Sequence, residues 1–131
     1  MDFTWETIDV KQNKRMNGEP IAAISEARIS LSPAACALID DVYSLPYVEI
    51  KIARDENKKI NMIGVFFNKE RSESGLAVTR RRYKGEFTEG LNINSKNLII
   101  ALFGEMGDKT QKYRAGKGGE NLIIIDVSKE I

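Results

Sequence analysis

The chain has 131 residues, of which 42% are hydrophobic and 30% are charged, a composition typical of one soluble globular domain. Twenty Lys and Arg residues against nineteen Asp and Glu residues leave a net charge of +1, which excludes a strong overall field for nucleic acid. Histidine is absent and Cys36 is the single cysteine, so Ser–His and Cys–His nucleophile pairs and an internal disulfide are excluded as well.

From these exclusions we predict a protein that is not an enzyme and that uses no cofactor and no metal. The side chain most used for acid–base chemistry near neutral pH is missing, and Cys36 alone cannot build a zinc site. No apolar run approaches the roughly 18 residues of a membrane span, which predicts a cytoplasmic protein without membrane contact. Nucleic-acid binding would need a local basic patch.

Residues 1–28 are predicted to form an N-terminal arm, in which spaced apolar residues such as Phe3 and Ile8 stand in polar company. Turn residues at 17–20 and an apolar run at 21–24, which suits a short strand, complete this arm. Trp5 is its candidate partner anchor, because a large amphipathic ring favours a protein surface. The alternative is that Trp5 packs on the protein's own body.

Residues 29–67 are predicted to form a first β-α-β-β unit. An apolar strand from Ile29 leads to Ser32, which suits a helix N-cap, and to Pro33 at the first helical position. Apolar residues at 35, 38, 39 and 42 follow the spacing of one helix face. The stretch YVEIKIA then alternates as a strand does, and a charged turn joins it to a second strand over 60–67.

Residues 68–90 are predicted to be a basic insertion between two units. The candidate binding residues within it are Arg80, Arg81, Arg82, Tyr83 and Lys84. An extended chain here places Arg80, Arg82 and Lys84 on one face at intervals of ~6–7 Å, a pitch suited to a phosphate backbone. Tyr83 is then free to stack on an unpaired base. The alternative is a charged segment that simply faces water.

Residues 91–127 are predicted to form a second unit. Either Asn94 or Ser95 suits a helix N-cap, and apolar residues at 99, 102, 103 and 106 share one helix face. A strand at 111–114, a glycine-rich turn and an apolar strand at 122–125 follow. Lys112, Arg114 and Lys117 surround this turn, whose backbone N–H groups suit an anion. A hairpin turn that needs positive φ is the alternative reason for the glycines.

The two units together predict an α+β fold with antiparallel sheet or sheets and two short helices. Ser32 and Ser95 lie 63 positions apart and Ile29 and Ile93 lie 64 apart, which suggests an internal β-α-β-β pseudo-repeat. A chance match of a common arrangement is the alternative. Neither unit is large enough to fold alone, so we expect a shared core in one domain over residues 29–131.

The stretch ISLSPAACALIDDVYSLPYVEIKIARDENKKINMI contains, in order, a strand, a proline-started helical turn, a YVEI strand, a charged turn and a last apolar strand. This pattern resembles the swapped-hairpin module of AbrB-like transition-state regulators. The resemblance implies that two chains interleave their hairpins and that arginines on the shared sheet face read DNA shape. Here the opening strand has few arginines beyond Arg28, and the second half is able to supply the partner hairpin internally, so a homodimer is left open.

The second half carries the motifs Lys96-Asn97-Leu98, Tyr113-Arg114 and Ile125-Asp126. With the first unit, they make the span from Ile29 to Val127 similar to a family of small phage and prophage proteins from Gram-positive bacteria. This resemblance implies an origin, and with it the cytoplasm of a host bacterium, more than a mechanism.

Two functions follow from these patterns. We predict a small nucleic-acid-binding protein that uses residues 80–84 together with Lys112, Arg114 and Lys117. The alternative is a phage-encoded inhibitor that binds a bacterial host protein, such as a defence-system component, through Trp5 and the same arginines.

Overall fold

Eight strands, two α-helices and one 3₁₀ turn make up the computed structural model, which describes residues 4 and 18–131 except for the side chains at positions 83 and 87. The strands are β1 (Ile21–Ser25), β2 (Arg28–Leu31), β3 (Tyr47–Arg54), β4 (Ile60–Asn68), β5 (Leu76–Tyr83), β6 (Glu86–Asn94), β7 (Gln111–Gly119) and β8 (Leu122–Asp126). The helices are α1 (Pro33–Cys36) and α2 (Lys96–Phe103), and the 3₁₀ turn is Val42–Ser44.

The strands close into one antiparallel barrel in the order β1-β2-β6-β5-β3-β4-β8-β7, and β7 pairs with β1 to complete the ring. Alternate side chains of each strand point inward, and the register places apolar residues opposite one another. Ile29 pairs with Ile93, Ile63 pairs with Ile125, and all of them are fully buried. Burial of such a side chain contributes ~1.5–3 kcal/mol, so this interior is the main source of stability.

A helix lies at each end of the barrel. α1 follows β2, and the Ser32 hydroxyl caps it by accepting a hydrogen bond from the Ala35 amide at 3.2 Å. α2 follows β6, which runs opposite to β2, so α2 lies at the other end; there the Ser95 hydroxyl accepts from the Leu98 amide at 3.2 Å. Ile99 of α2 is fully buried. In the described part of the chain, no helix has both the length and the apolar character needed to cross a membrane.

The two halves of the chain contribute equivalent strands to the barrel. β1–β4 and β5–β8 each form a hairpin, a helix and a second hairpin, and exchanging the halves leaves the circular strand order unchanged. The halves meet where β2 pairs with β6, where β4 pairs with β8, and along the β1–β7 and β3–β5 pairs. Each of these four strand pairs joins one half of the chain to the other. Both halves therefore line one shared interior, and neither encloses an interior of its own.

The predicted α+β fold with two short helices is wrong, because the described chain is mostly β-structure and only α2 is longer than one turn. α1 ends at Cys36 although the apolar spacing continues to Val42. A left-handed Asp41, with φ of 53°, breaks that spacing, because a right-handed helix cannot continue through such a residue. Each predicted β-α-β-β unit also lacks the strand that begins its half.

The two strands absent from the predicted units lie in segments predicted as an arm and as an insertion, and the first of them matches the short strand expected at 21–24. β1 falls within the predicted arm of residues 1–28, and β5 with the first half of β6 falls within the predicted insertion of residues 68–90. Three consecutive arginines hide the inward alternation of β5, which only Leu76 and Val78 show. The insertion is therefore part of the barrel wall.

Candidate nucleic-acid interface

Five neighbouring strands, β7, β1, β2, β6 and β5, present one continuous outer face of the barrel. Their inward residues, such as Ala22 and Ile29, are fully buried, so the residues between them point outward. The strand pairing arranges these outward residues in rows across the face. The central row is Lys112, Ala23, Ser30, Asn92 and Thr79, the row on the α1 side is Arg114, Ile21, Ser32, Gly90 and Arg81, and the row on the α2 side is Ser25, Arg28 and Asn94.

Four basic side chains surround a floor of small residues on this face. Lys112 and Arg114 stand on β7, Arg81 on β5 and Arg28 on β2, and all of them are exposed. The floor between them consists of Ala23, Ser30, Ser32 and Gly90. We call these four cations and this floor the basic trough.

Two shallow grooves run along the basic trough and meet at its centre. The first, of about 270 Å³, lies between Arg81 and Lys112. The second, of about 410 Å³, continues past Arg28 towards α2. Both are lined by Ala23 and Ser30, so they adjoin at these two residues. A ligand that occupied both grooves would contact cations from three strands.

Acidic side chains lie at the edges of the basic trough: Glu26 and Asp108 line the second groove, and Asp126 and Glu130 share a cavity with Arg114. β1, β2, β5 and β7 contain no Asp or Glu, and β6 contains none from residue 90 to residue 94. Glu26, in the turn after β1, is paired with Lys96 of α2 at 3.5 Å. Asp126 of β8 stands opposite Arg114 at the rim. The basic trough is therefore a local positive surface on a chain whose net charge is only +1.

A bulge in the β5–β6 pair sets the direction of Arg81. The register shifts between Arg80 and Arg82, so that residues 88–90 of β6 lie opposite Arg81 alone. The Thr88 hydroxyl spans this bulge: it donates to the Arg81 carbonyl at 3.2 Å and accepts from the residue 90 amide at 3.3 Å. The Arg81 side chain consequently runs across the floor and lines the first groove.

Arg80 has a different role from its neighbour. Its guanidinium lies over the Tyr43 ring, 4.4 Å from the centroid, and donates to the Thr88 carbonyl at 3.2 Å. The Tyr43 hydroxyl in turn donates to the Glu89 carbonyl at 2.6 Å, and burial raises the pKa of that hydroxyl. These contacts fasten the 3₁₀ turn to the β5–β6 hairpin, so Arg80 acts as a structural clamp beside the basic trough.

The remaining predicted site residues lie in different parts of the structure. Arg82 and Lys84 belong to the exposed tip of the β5–β6 hairpin, where Lys84 has a φ of 51°. Lys117 lies at the α1 end of the barrel, in a cavity of about 260 Å³ that it shares with Asp40 and Asp41. Of the predicted residues, only Arg81, Lys112 and Arg114 come together. The Tyr83 side chain and Trp5 lie outside the described residues.

Arg28 belongs to the basic trough but is not among the predicted site residues. It is an isolated charge in the chain, without the neighbouring cations that draw attention to residues 80–84. The alternation of the strand indicates its direction: Ile29 and Leu31 face the core, so Arg28 and Ser30 face outward. This alternation identifies Arg28 as a site residue only when β6 and β7 are known to lie nearby.

Of the glycines near Lys117, Gly118 makes room for side-chain packing, and none of them has a positive φ. The left-handed position of the β7–β8 hairpin is Asn121, with φ of 57°. The Ile124 side chain occupies the space that a Cβ would take at Gly118. Among the residues that the structure describes, no group of three or more His, Cys, Asp or Glu side chains is placed to hold a metal ion.

Comparisons with family models, with curated proteins and with solved structures found no match to this chain. The case for a function therefore rests on the chemistry and geometry of the basic trough.

Proposed function

We propose that this protein is a non-enzymatic nucleic-acid-binding protein that contacts the phosphate backbone through the basic trough. The observation that carries the proposal is the convergence of Arg28, Arg81, Lys112 and Arg114 on one face, in strands that contain no acidic residue. Phosphate contacts depend mainly on positive charge and need no particular base sequence.

The floor of the basic trough supports a backbone ligand rather than base recognition. Its side chains are small, and the exposed large apolar residues of the described chain, Tyr43, Ile52, Ile100 and Ile131, do not belong to its rows. Side chains that stack on bases are therefore missing from the described part of this face. Hydroxyl and amide groups, such as those of Ser30 and Asn92, suit phosphate and sugar oxygens.

The resemblance to AbrB-like modules supports the same function. That resemblance implies arginines on a sheet face that two interleaved hairpin units share. The basic trough is centred on the β2–β6 junction, where the two halves of this single chain meet. From the phage-family resemblance we expect the proposed activity in the cytoplasm of a host bacterium.

The number of cations sets the expected salt dependence. Each neutralised phosphate contributes a slope of about −0.9 to a plot of log affinity against log salt concentration for duplex DNA. Four contacts thus predict a slope between about −3 and −4, and binding that is weak at physiological salt.

Fluorescence anisotropy with labelled duplex and single-stranded DNA at two salt concentrations tests the proposal. The informative variant is Arg81→Gln/Lys112→Gln, because these two side chains face each other across the first groove. We expect it to weaken binding at least about tenfold and to reduce the salt slope by about 2.

The matched control is Lys58→Gln/Lys59→Gln, which removes the same charge from the exposed β3–β4 turn. We expect this control to bind within about twofold of the wild type, because charges beyond a Debye length of ~10 Å are screened. An unaltered affinity in the trough variant, or an equal loss in the control, would contradict the proposal. Absence of binding by the wild type at low salt would favour the inhibitor alternative, which a pull-down from bacterial lysate then examines.

A further inference from the structure

We infer that Gly90 is a positioning residue: the absence of a side chain there lets Arg81 lie across the floor of the basic trough. A Cβ atom at position 90 would lie 2.7 Å from Arg81 Cδ and 3.4 Å from its Nη1. The first of these distances is shorter than carbon atoms tolerate in contact, so the observed course of Arg81 requires glycine. The inference deepens the proposed function and rests on it for its effect on binding.

The need for glycine at this position is steric and not conformational. Gly90 does not have a positive φ, so its backbone conformation suits an alanine. The other close neighbour of a Cβ there would be the Leu31 carbonyl oxygen at 3.1 Å, a tight contact that needs a backbone shift of a few tenths of an ångström. The side chain of Arg81 is long and exposed, whereas β2 and β6 are held by a paired ladder. Alanine at position 90 would therefore displace Arg81 and leave the sheet in place.

The bulge directs this contact. Residues 88–90 stand opposite Arg81 alone, and the Thr88 hydroxyl links the Arg81 carbonyl to the Gly90 amide at 3.2 and 3.3 Å. Arg81 and Gly90 are thus fixed next to each other on the outer face. Restricting a long side chain before a ligand arrives reduces the conformational entropy lost on binding. Displacement of Arg81 would remove its side chain from the first groove. It would also increase the conformational entropy that this side chain loses on binding.

The matched control for Gly90→Ala is Gly116→Ala. Gly116 lies on β7 of the same barrel, also without positive φ, and a Cβ there would have no atom within 4 Å. Both variants add one methyl group to a strand. Only Gly90→Ala obstructs a basic side chain.

Two measurements test the inference. The first is the order parameter of the Arg81 Nε–Hε group in ¹⁵N-labelled free protein. We expect a value above about 0.6 in the wild type and in Gly116→Ala, and a value below about 0.6 in Gly90→Ala. Similar values in Gly90→Ala and the wild type would overturn the inference whether or not the protein binds nucleic acid.

The second measurement is a double-mutant cycle by anisotropy with a labelled DNA duplex. We expect Gly90→Ala and Arg81→Gln each to weaken binding by roughly three- to tenfold, and the double variant to bind no more weakly than Arg81→Gln alone. Losses that multiply in the double variant would show that Gly90 acts independently of Arg81 and would overturn the inference. Failure of the wild type to bind DNA would count against the proposed function, while the order parameter still decides the role of Gly90.

Discussion

Two opposite outer faces of the same barrel are built from the same kind of strand but differ in what their outward side chains do. The basic trough is centred on the β2–β6 junction, and the opposite face is centred on the β4–β8 junction. We call the second one the apolar face, because its outward residues are Met62, Phe66, Leu122 and Ile124. Exchanging the two halves of the chain maps each of these two junctions onto itself.

On the apolar face, large side chains cover the neighbouring glycines. The Phe66 ring lies over Gly64, where a Cβ would be 3.0 Å from the ring, and the Lys51 ammonium lies over the same ring at 5.0 Å from its centroid. Ile124 fills the space above Gly118. Glycines here make room for neighbouring large side chains, so the surface closes without a ligand.

On the basic trough, by contrast, large apolar side chains do not cover the small residues. Its small residues stay uncovered apart from Gly90, over which a charged side chain lies rather than an apolar one. Glycine on a strand therefore makes room for apolar packing on one face and for a charged side chain on the other.

The largest expected effect comes from reversing charge in the basic trough. Arg28→Glu/Lys112→Glu places two negative charges where the proposal requires phosphates, so we expect duplex affinity at low salt to fall on the order of a hundredfold. Anisotropy measures this loss. The control, Lys58→Glu/Lys59→Glu, changes net charge equally at the β3–β4 turn and should cost less than about threefold. An equal loss in both variants would mean that net charge and not the trough governs binding.

A smaller effect is expected on the apolar face from Gly118→Ala. The added methyl group meets the Ile124 side chain and lies 2.9 Å from Leu122 Cδ2, so both side chains must leave their preferred positions. We expect the free energy of unfolding to fall by about 1–3 kcal/mol, as for other overpacked sites. Urea denaturation measures the change, while affinity for DNA should stay within twofold. Lost affinity at unchanged stability would remove the distinction between the two faces.

The smallest effect concerns Cys36, which lies in the shared interior near the α1 end of the barrel. Burial raises the pKa of its thiol to about 11, well above its ordinary value. The thiol of the unfolded chain ionises first, so the stability contribution is complete below pH ~8.5 and declines as the pH approaches 11. Urea denaturation of the wild type and of Cys36→Ala between pH 8 and 10.5 should show a steeper decline in the wild type. Parallel curves would contradict the raised pKa.

The sequence predicted several local elements correctly in kind. Alternation over YVEIKIA indicated β3, the apolar run at 122–125 indicated β8, and Ser32 and Ser95 both cap helices as expected. These features depend on neighbouring residues, so a pattern of a few positions suffices. The overall class was wrong because the short strand expected at 21–24 was assigned to an arm and because β5 carries its charge on consecutive residues.

The candidate site shows the same limit. Residues 80–84 form a single cluster in the sequence, yet the fold assigns Arg80 to a clamp on Tyr43 and Arg81 to the basic trough. Lys112 and Lys117 are five positions apart, but the β7 register places the first in the trough and the second at the barrel end. Adjacent residues of a strand point to opposite faces, so density of charge along the chain does not determine density on a surface.

The sequence by itself determined the small capped helices, the apolar hairpin strands and the exclusion of histidine chemistry, because each depends on composition or on contacts a few residues apart. Only the tertiary structure decided that the barrel closes, that β2 lies beside β6, and that Arg28, Arg81, Lys112 and Arg114 share one face. The physical reason is that these pairings join residues tens of positions apart. Their register is set by burial of a common interior, and no local pattern encodes it.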